Sequence, residues 1–115
     1  MEKYLNNVVI SGRIHQIRSS ANGTCFINLL QIVKFNQVEH QRQYELLISP
    51  EKFELIPLVE LNKCIKVTGE LTIFKVKKYS IYKMMINVLN LEILPDDAFP
   101  QTEITTANDS TEETF

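Results

Sequence analysis

The chain has 115 residues, of which 44% are hydrophobic and 23% are charged, and its formal net charge is −2. This length leaves room for one domain, and the absence of any run of about 18 apolar residues excludes a transmembrane helix. The two cysteines, Cys25 and Cys64, stand alone in the sequence, which indicates buried, reduced thiols in a cytoplasmic protein rather than a disulfide framework.

The charge is unevenly distributed along the chain. Residues 1–94 carry all 12 lysines and arginines and eight acidic residues, a net of +4. Residues 95–115 carry six acidic residues and no basic one. This asymmetry indicates a body that meets a polyanion and an acidic tail with a separate task.

The body is predicted to be built from strands, because β-branched and aromatic residues recur between turn signals. Gly12 and Gly69 lie inside strand patterns and predict bulges or sharp bends, and Asn22-Gly23 predicts a turn. The polar residues 39–42 are expected to form a hairpin tip. The predicted strands are 8–14, 25–38, 43–49, 64–76 and 81–94.

One short helix is predicted between the third and fourth strands. Ser49 can cap it, Pro50 suits its first position, and Pro57 limits it to one or two turns. Five short strands with one intervening helix, and no strand–helix alternation, predict an all-β OB-fold, a Greek-key barrel. The domain is expected to end at residue 94, and residues 95–115 are expected to be a disordered acidic tail.

Three segments carry a resemblance to a known family. They are Asn7-Val8-Val9-Ile10-Ser11-Gly12-Arg13-Ile14, Ile65-Lys66-Val67-Thr68-Gly69-Glu70-Leu71 and Asn90-Leu91-Glu92-Ile93-Leu94. In order and spacing they resemble the first, fourth and closing strands of bacterial and phage single-stranded DNA-binding proteins. The resemblance covers residues 6–94. It implies a homo-oligomer, a tetramer or a dimer, that coats single-stranded DNA in replication, recombination and repair and lies in the cytoplasm with the nucleoid. Two loops are shorter than in the family, and the chain has no tryptophan.

A protein that binds single strands without sequence preference needs cations for phosphates and aromatic rings for bases. The resemblance places family stacking positions at Phe35 and Tyr44, next to Lys34 and Arg42, and the expectation is that one DNA segment touches all four. A third stacking position falls on Val76, so Phe74, two residues earlier on the same strand face, is expected to replace it.

The densest mixture of basic and aromatic residues is the predicted hairpin of the last two strands. Its DNA-binding candidates are Phe74, Lys75, Lys77, Lys78, Tyr79, Tyr82 and Lys83. The alternative is an edge hairpin protected by lysines whose rings pack on the barrel. Arg13 and Arg18 are further candidates for phosphate contact or simple solvation. Phe26 and Phe53 are expected in the core, and Tyr4 on the barrel or at a subunit contact.

The last residues of the chain resemble the acidic tip of the same family. In that family a terminal Phe and its carboxylate enter a basic pocket on replication and repair enzymes. The matching residues here are Asp109, Glu112, Glu113 and Phe115, although Thr114 stands where the family has Pro. An aromatic anchor with a free carboxylate suits such a pocket. The alternative is an inert, solubilising tail.

No catalytic or metal-binding motif is found. His15 and His40 lie apart from any Cys, Asp or Glu at ligand spacing, and no phosphate-binding glycine loop is present, so neither catalysis nor a cofactor is expected. Two other binding functions remain open: a protein-interaction or primosomal-type accessory subunit with little DNA binding, and an RNA-binding OB module.

Overall fold

The computed structural model describes residues 4–76 and 78–100. Five strands form a closed barrel in the order β1-β2-β3-β5-β4, and a 3-10 helix lies between β3 and β4. The predicted five-stranded barrel with one short helix is therefore confirmed. The elements are β1 Val8–Ser19, β2 Cys25–Phe35, β3 Val38–Ile48, the 3-10 helix Pro50–Leu58, β4 Cys64–Val76 and β5 Ile81–Ile93.

The barrel closes through a very short contact between β3 and β5. These strands run parallel and pair only at Leu46↔Ile86 and Leu47↔Asn87. On the other side, β1 pairs with β2 only as far as Leu30, and with β4 only as far as Gly69. The outer parts of both hairpins, β2–β3 and β4–β5, therefore continue beyond the barrel as two-stranded ribbons.

Gly69 is required where β4 bends. The register between β4 and β5 shifts between Thr68 and Gly69, and a Cβ atom on Gly69 would lie 2.2 Å from the backbone oxygen of Asn87. Gly12 likewise lets β1 approach β2, since its Cβ would lie 2.6 Å from the Leu30 oxygen. The register shift in β1 occurs later, between Ile14 and Gln16, so Gly12 serves close approach and not a bulge.

The β2–β3 turn lies earlier than expected. The chain reverses at Asn36 and Gln37, whose φ angles are 53° and 65°, as the favoured two-residue hairpin turn demands. The predicted tip at residues 39–42 is therefore wrong, because these residues belong to β3. They are polar because that part of the ribbon lies outside the barrel and meets water on both faces.

The core consists of the alternate side chains that point into the barrel. Its fully buried members are Ile14, Ile27, Leu29, Leu46, Ile48, Ile65, Val67 and Val88, and Leu55 from the 3-10 helix packs against them. Both cysteines are buried and free, and burial raises the pKa of the Cys25 thiol. The expected core position of Phe53 is wrong, because this side chain is 71% exposed on the 3-10 helix. Tyr4 is fully exposed and does not pack on the barrel.

Residues that follow β5 are hydrogen-bonded to the barrel. The Leu94 backbone N–H donates to the Cys64 oxygen at 2.8 Å, and Arg13 donates to the backbone oxygens of Asp96 and Phe99 at 3.0 and 2.6 Å. Residues 95–100 are thus attached to the barrel. The remainder of the predicted tail, residues 101–115, lies outside the described residues, and within the described ranges no helix has the length and apolar character to cross a bilayer.

Candidate nucleic-acid interface

The β2–β3 ribbon does not place on one face the four residues predicted to touch the same DNA segment, which are Lys34, Phe35, Arg42 and Tyr44. Successive side chains of a strand point to opposite faces. By the pairing register, Phe35, Arg42 and Tyr44 share the face that continues the barrel interior. Lys34 pairs with Glu39 on the opposite face. A single DNA segment on the Phe35 face therefore meets three of the four residues but not Lys34.

Phe35 and Tyr44 differ in what they can offer a base. The Phe35 ring is 65% exposed near the tip, and the ring of His40 meets it at a centroid distance of 6.4 Å with an interplanar angle of 60°. Arg42 is exposed, whereas Tyr44 is half-buried where the ribbon joins the barrel. Phe35 is consequently the more accessible of the two rings for a base.

The β4–β5 ribbon brings lysines close to tyrosines. The Lys75 Nζ lies 5.9 Å from the Tyr82 ring centroid, and the Lys78 Nζ lies 5.5 Å from the Tyr79 centroid. Both tyrosines are largely exposed. Cation–π contacts at exposed sites contribute about 0.5–1 kcal/mol. They also keep each ammonium group near a ring, so that a single nucleotide can meet both. Lys77 lies outside the described residues.

Phe74 and Lys83 lie on the other face of this ribbon and border a groove. They are cross-strand partners in the β4–β5 register. The groove has a volume of about 690 Å³ and opens between the ribbon and the β1–β2 turn. We call it the mouth groove; its lining residues are Arg18, Ser20, Ala21, Asn22, Thr24, Phe26, Glu45, Phe74, Val76, Lys83 and Met85.

One wall of the mouth groove is a row of three side chains from three strands. The Arg18 guanidinium lies over the Phe26 ring at 5.2 Å from its centroid, and Phe26 meets Phe74 edge to face at 5.4 Å. The expected core position of Phe26 is thus wrong, because its ring is half-buried in this wall. Strand alternation contained the signal, since Phe26 lies between the inward-facing Cys25 and Ile27 and must point outward.

The groove lining also contains an ion pair. The Lys83 Nζ lies 2.8 Å from the Glu45 Oε1, which links β5 to β3 just beyond the point where these strands cease to pair. Met85 is 3% exposed and forms the floor. Of the two groove cations, Lys83 is therefore neutralised, whereas Arg18 forms no ion pair with any described residue.

Arg13 does not take the position expected of a phosphate ligand. Its side chain is 8% exposed, and its guanidinium donates to the backbone oxygens of Asn62, Asp96 and Phe99. All three acceptors are backbone carbonyls on segments distant in sequence. The side chain therefore holds residues 95–99 on the barrel, and its charge is directed away from solvent.

The remaining candidate residues are the potential metal ligands and the acidic tip. In the part of the chain that the structure describes, no three or more His, Cys, Asp or Glu side chains cluster in a way that would hold a metal ion. His15 and His40 are both exposed. The tip residues Asp109, Glu112, Glu113 and Phe115 lie outside the described residues.

Comparison with known proteins identifies the fold. No protein-family model and no curated protein sequence matches the chain. A small single-stranded DNA binding protein from Mycoplasma pneumoniae has a similar structure, with a TM-score of 0.63 at 20% identity, over 89% of this chain and 100% of that one. The Plasmodium falciparum SSB, solved in complex with ssDNA, matches with a TM-score of 0.59 at 17% identity, over 83% and 99% of the two chains. The chain has their fold. The resemblance carried by the three strand motifs is thereby confirmed at the level of the fold.

Proposed function

We propose that this chain is a sequence-tolerant, non-catalytic single-stranded DNA-binding protein. The observation that carries the proposal is the repeated association of a cation with an aromatic ring: Lys75 with Tyr82, Lys78 with Tyr79, and Arg18 with Phe26. Single strands expose base faces and phosphates together, and such pairs meet both without reading sequence. The shared fold with an SSB that was solved in complex with ssDNA supports the same function.

The decisive experiment is a titration of the full-length protein with a labelled oligothymidine, the matching duplex and an oligouridine, followed by fluorescence anisotropy from 0.05 to 1 M salt. We expect log K for the single strand to fall with log salt at about −0.7 per phosphate neutralised. We expect the duplex to bind far more weakly. Equal affinity for single strand and duplex, or no binding, would favour the protein-interaction subunit. A preference for oligouridine would favour the RNA-binding module.

We further propose that the protein acts as a homo-oligomer, a dimer or a tetramer. The support is an apolar strip on the β4–β5 ribbon, on the face opposite the mouth groove. Ile73 and Met84 are cross-strand partners there, 64% and 65% exposed in the monomer, and Leu71 lies beside them. Contiguous exposed apolar surface marks interaction sites. Sedimentation velocity of the wild type and of Ile73→Thr/Met84→Thr tests this, with loss of the larger species expected in the double variant.

We propose that the acidic tail recruits proteins of replication, recombination and repair, and that the protein acts in the cytoplasm with the nucleoid. The support is the segregation of six acidic residues after residue 94, together with the aromatic residue Phe115. Pull-downs with full-length, Phe115-deleted and 101–115-deleted protein test the proposal. If all three forms retain the same partners, the proposal is wrong and the tail is only a solubilising segment.

A further inference from the structure

The mouth groove contains two cations in different electrostatic states. Arg18 rests on the Phe26 ring, which leaves its charge uncompensated among the described residues. Lys83 is bound by Glu45 at 2.8 Å. Glu45 is the single acidic residue among the described residues that line the groove. The two cations therefore offer a phosphate very different potentials although they border the same space.

The groove also has the shape and the apolar surface that a nucleotide requires. Its volume of about 690 Å³ falls within the range of small-molecule sites, about 300–1,000 Å³. Met85 forms an apolar floor, and Phe74 stands at the rim with part of its ring exposed. A base placed against Phe74 has the Arg18 guanidinium within the same wall, because Phe26 contacts both side chains.

We propose that the mouth groove is a nucleotide subsite in which Phe74 contacts the base and Arg18 binds the phosphate, while Glu45 occupies Lys83 and keeps it off the strand. Glu45 acts as an internal substitute for phosphate, since carboxylate and phosphate oxygens accept the same ammonium hydrogen bond. Its presence limits the affinity of the groove for the phosphodiester backbone. This inference rests on the proposed function, because it assumes that single-stranded DNA enters the groove.

The Lys83–Glu45 ion pair is expected to contribute little to the stability of the fold. Lys83 and Glu45 are 43% and 31% exposed, and partly exposed pairs contribute little to stability. Neither residue is a cross-strand partner of the other, since Glu45 pairs with Asn28 and Lys83 with Phe74. The pair spans the gap that forms where β3 and β5 diverge, and both of its residues line the groove.

Four variants test the asymmetry between the two cations: Arg18→Gln, Lys83→Gln, Glu45→Gln and the double variant Glu45→Gln/Lys83→Gln. A phosphate contact changes the salt slope by about 0.7, which corresponds to about fivefold in affinity for each tenfold change in salt. Arg18→Gln should have a salt slope that is shallower by about 0.7. Its affinity relative to wild type should therefore be about fivefold lower at 0.1 M salt than at 1 M salt. Lys83→Gln should change affinity less than twofold.

Glu45→Gln should release Lys83 and steepen the slope by about 0.7, with an affinity gain of about fivefold at 0.1 M salt that vanishes near 1 M. The double variant should lose this gain. Glu92→Gln is the matched control, since Glu92 is exposed on β5 nine residues from Lys83, about 30 Å along the strand. That distance exceeds the screening length of about 8–10 Å, so we expect less than a twofold effect.

Oligothymidine is the probe, and thermal denaturation confirms that each variant is folded. A loss in Lys83→Gln equal to that in Arg18→Gln, an unchanged Arg18→Gln, or an unchanged Glu45→Gln would each overturn the inference. So would equal gains in Glu45→Gln and Glu92→Gln, which would reveal a net-charge effect. The wild-type titration separates this inference from the function itself: if the wild type binds with a salt slope, only the role of the groove is at stake. If the wild type does not bind, both fail.

Discussion

Replacing Arg13 with methionine removes a buried cation while keeping a side chain of similar length. The guanidinium donates to three backbone oxygens, at 2.7, 3.0 and 2.6 Å. Hydrogen bonds to charged groups contribute about 1.5–3 kcal/mol each, but removal of the cation also relieves its desolvation. The buried Nε–H makes no hydrogen bond among the described residues, which lowers the net value further. We therefore expect the free energy of unfolding to fall by about 2–4 kcal/mol.

Urea denaturation followed by circular dichroism measures this loss, which is a large part of the roughly 5–15 kcal/mol that stabilises a typical domain. The folded fraction of Arg13→Met should bind oligothymidine within twofold of wild type. Arg42→Met is the matched control, because Arg42 is exposed on the β2–β3 ribbon. The Arg42→Met protein should be as stable as wild type, and its affinity for oligothymidine should have a salt slope that is shallower by about 0.7. An Arg13→Met protein that is as stable as wild type but binds DNA weakly would refute the structural role of Arg13 and restore it as a phosphate ligand.

Three further variants and one chemical probe test other parts of the structure. Gly69→Ala should destabilise the fold by about 1–3 kcal/mol in urea, because the added Cβ would lie 2.2 Å from the Asn87 backbone oxygen. Phe74→Ala should lose about 1–3 kcal/mol of oligothymidine affinity by anisotropy, with its melting temperature as the control. Because burial raises the pKa of the Cys25 thiol, less thiolate forms at pH 8, and a thiol reagent should label native Cys25 far more slowly than urea-unfolded protein. Deletion of residues 101–115 should leave the circular dichroism melt unchanged and preserve or modestly raise DNA affinity at low salt, since the segment is acidic.

Local sequence patterns predicted most of the barrel because each strand has one buried face. Where a strand leaves the barrel this signal disappears, since both faces meet water. The polar pattern of residues 39–42 consequently predicts a turn although these residues continue β3. The actual turn at Asn36-Gln37 is marked in the sequence only by Asn36, a residue type that tolerates positive φ. The segment after β5 lacks such a signal as well. Residues 95–100 have no strand pattern. Arg13 holds them through two hydrogen bonds, to the backbone oxygens of Asp96 and Phe99, and the Cys64 Sγ also contacts the Asp96 oxygen.

The candidate site was predictable in composition but not in arrangement. Aromatic and basic residues on the β4–β5 ribbon could be recognised from their density alone. The partners of the two groove cations could not, because each comes from another strand: Glu45 reaches Lys83 from β3, and Phe26 of β2 lies under Arg18 of β1. Strand alternation did assign faces, and it would have separated Lys34 from Phe35, since adjacent residues point in opposite directions.

The short pairing between β3 and β5 explains both proposed surfaces. Adjacent paired strands lie about 4.8 Å apart, so longer pairing would have closed the mouth groove and covered the end of the β4–β5 ribbon. Early divergence instead leaves the ribbon with two free faces, Phe74 and Lys83 toward the groove and Ile73 and Met84 on the apolar strip. A register slip of one residue along one strand would exchange the faces of its residues. The shift at Gly69 fixes that register at the base of the ribbon. The backbone of this one glycine therefore determines that Phe74 and Lys83 face the groove, while the apolar strip shares the opposite face with the Lys75–Tyr82 pair.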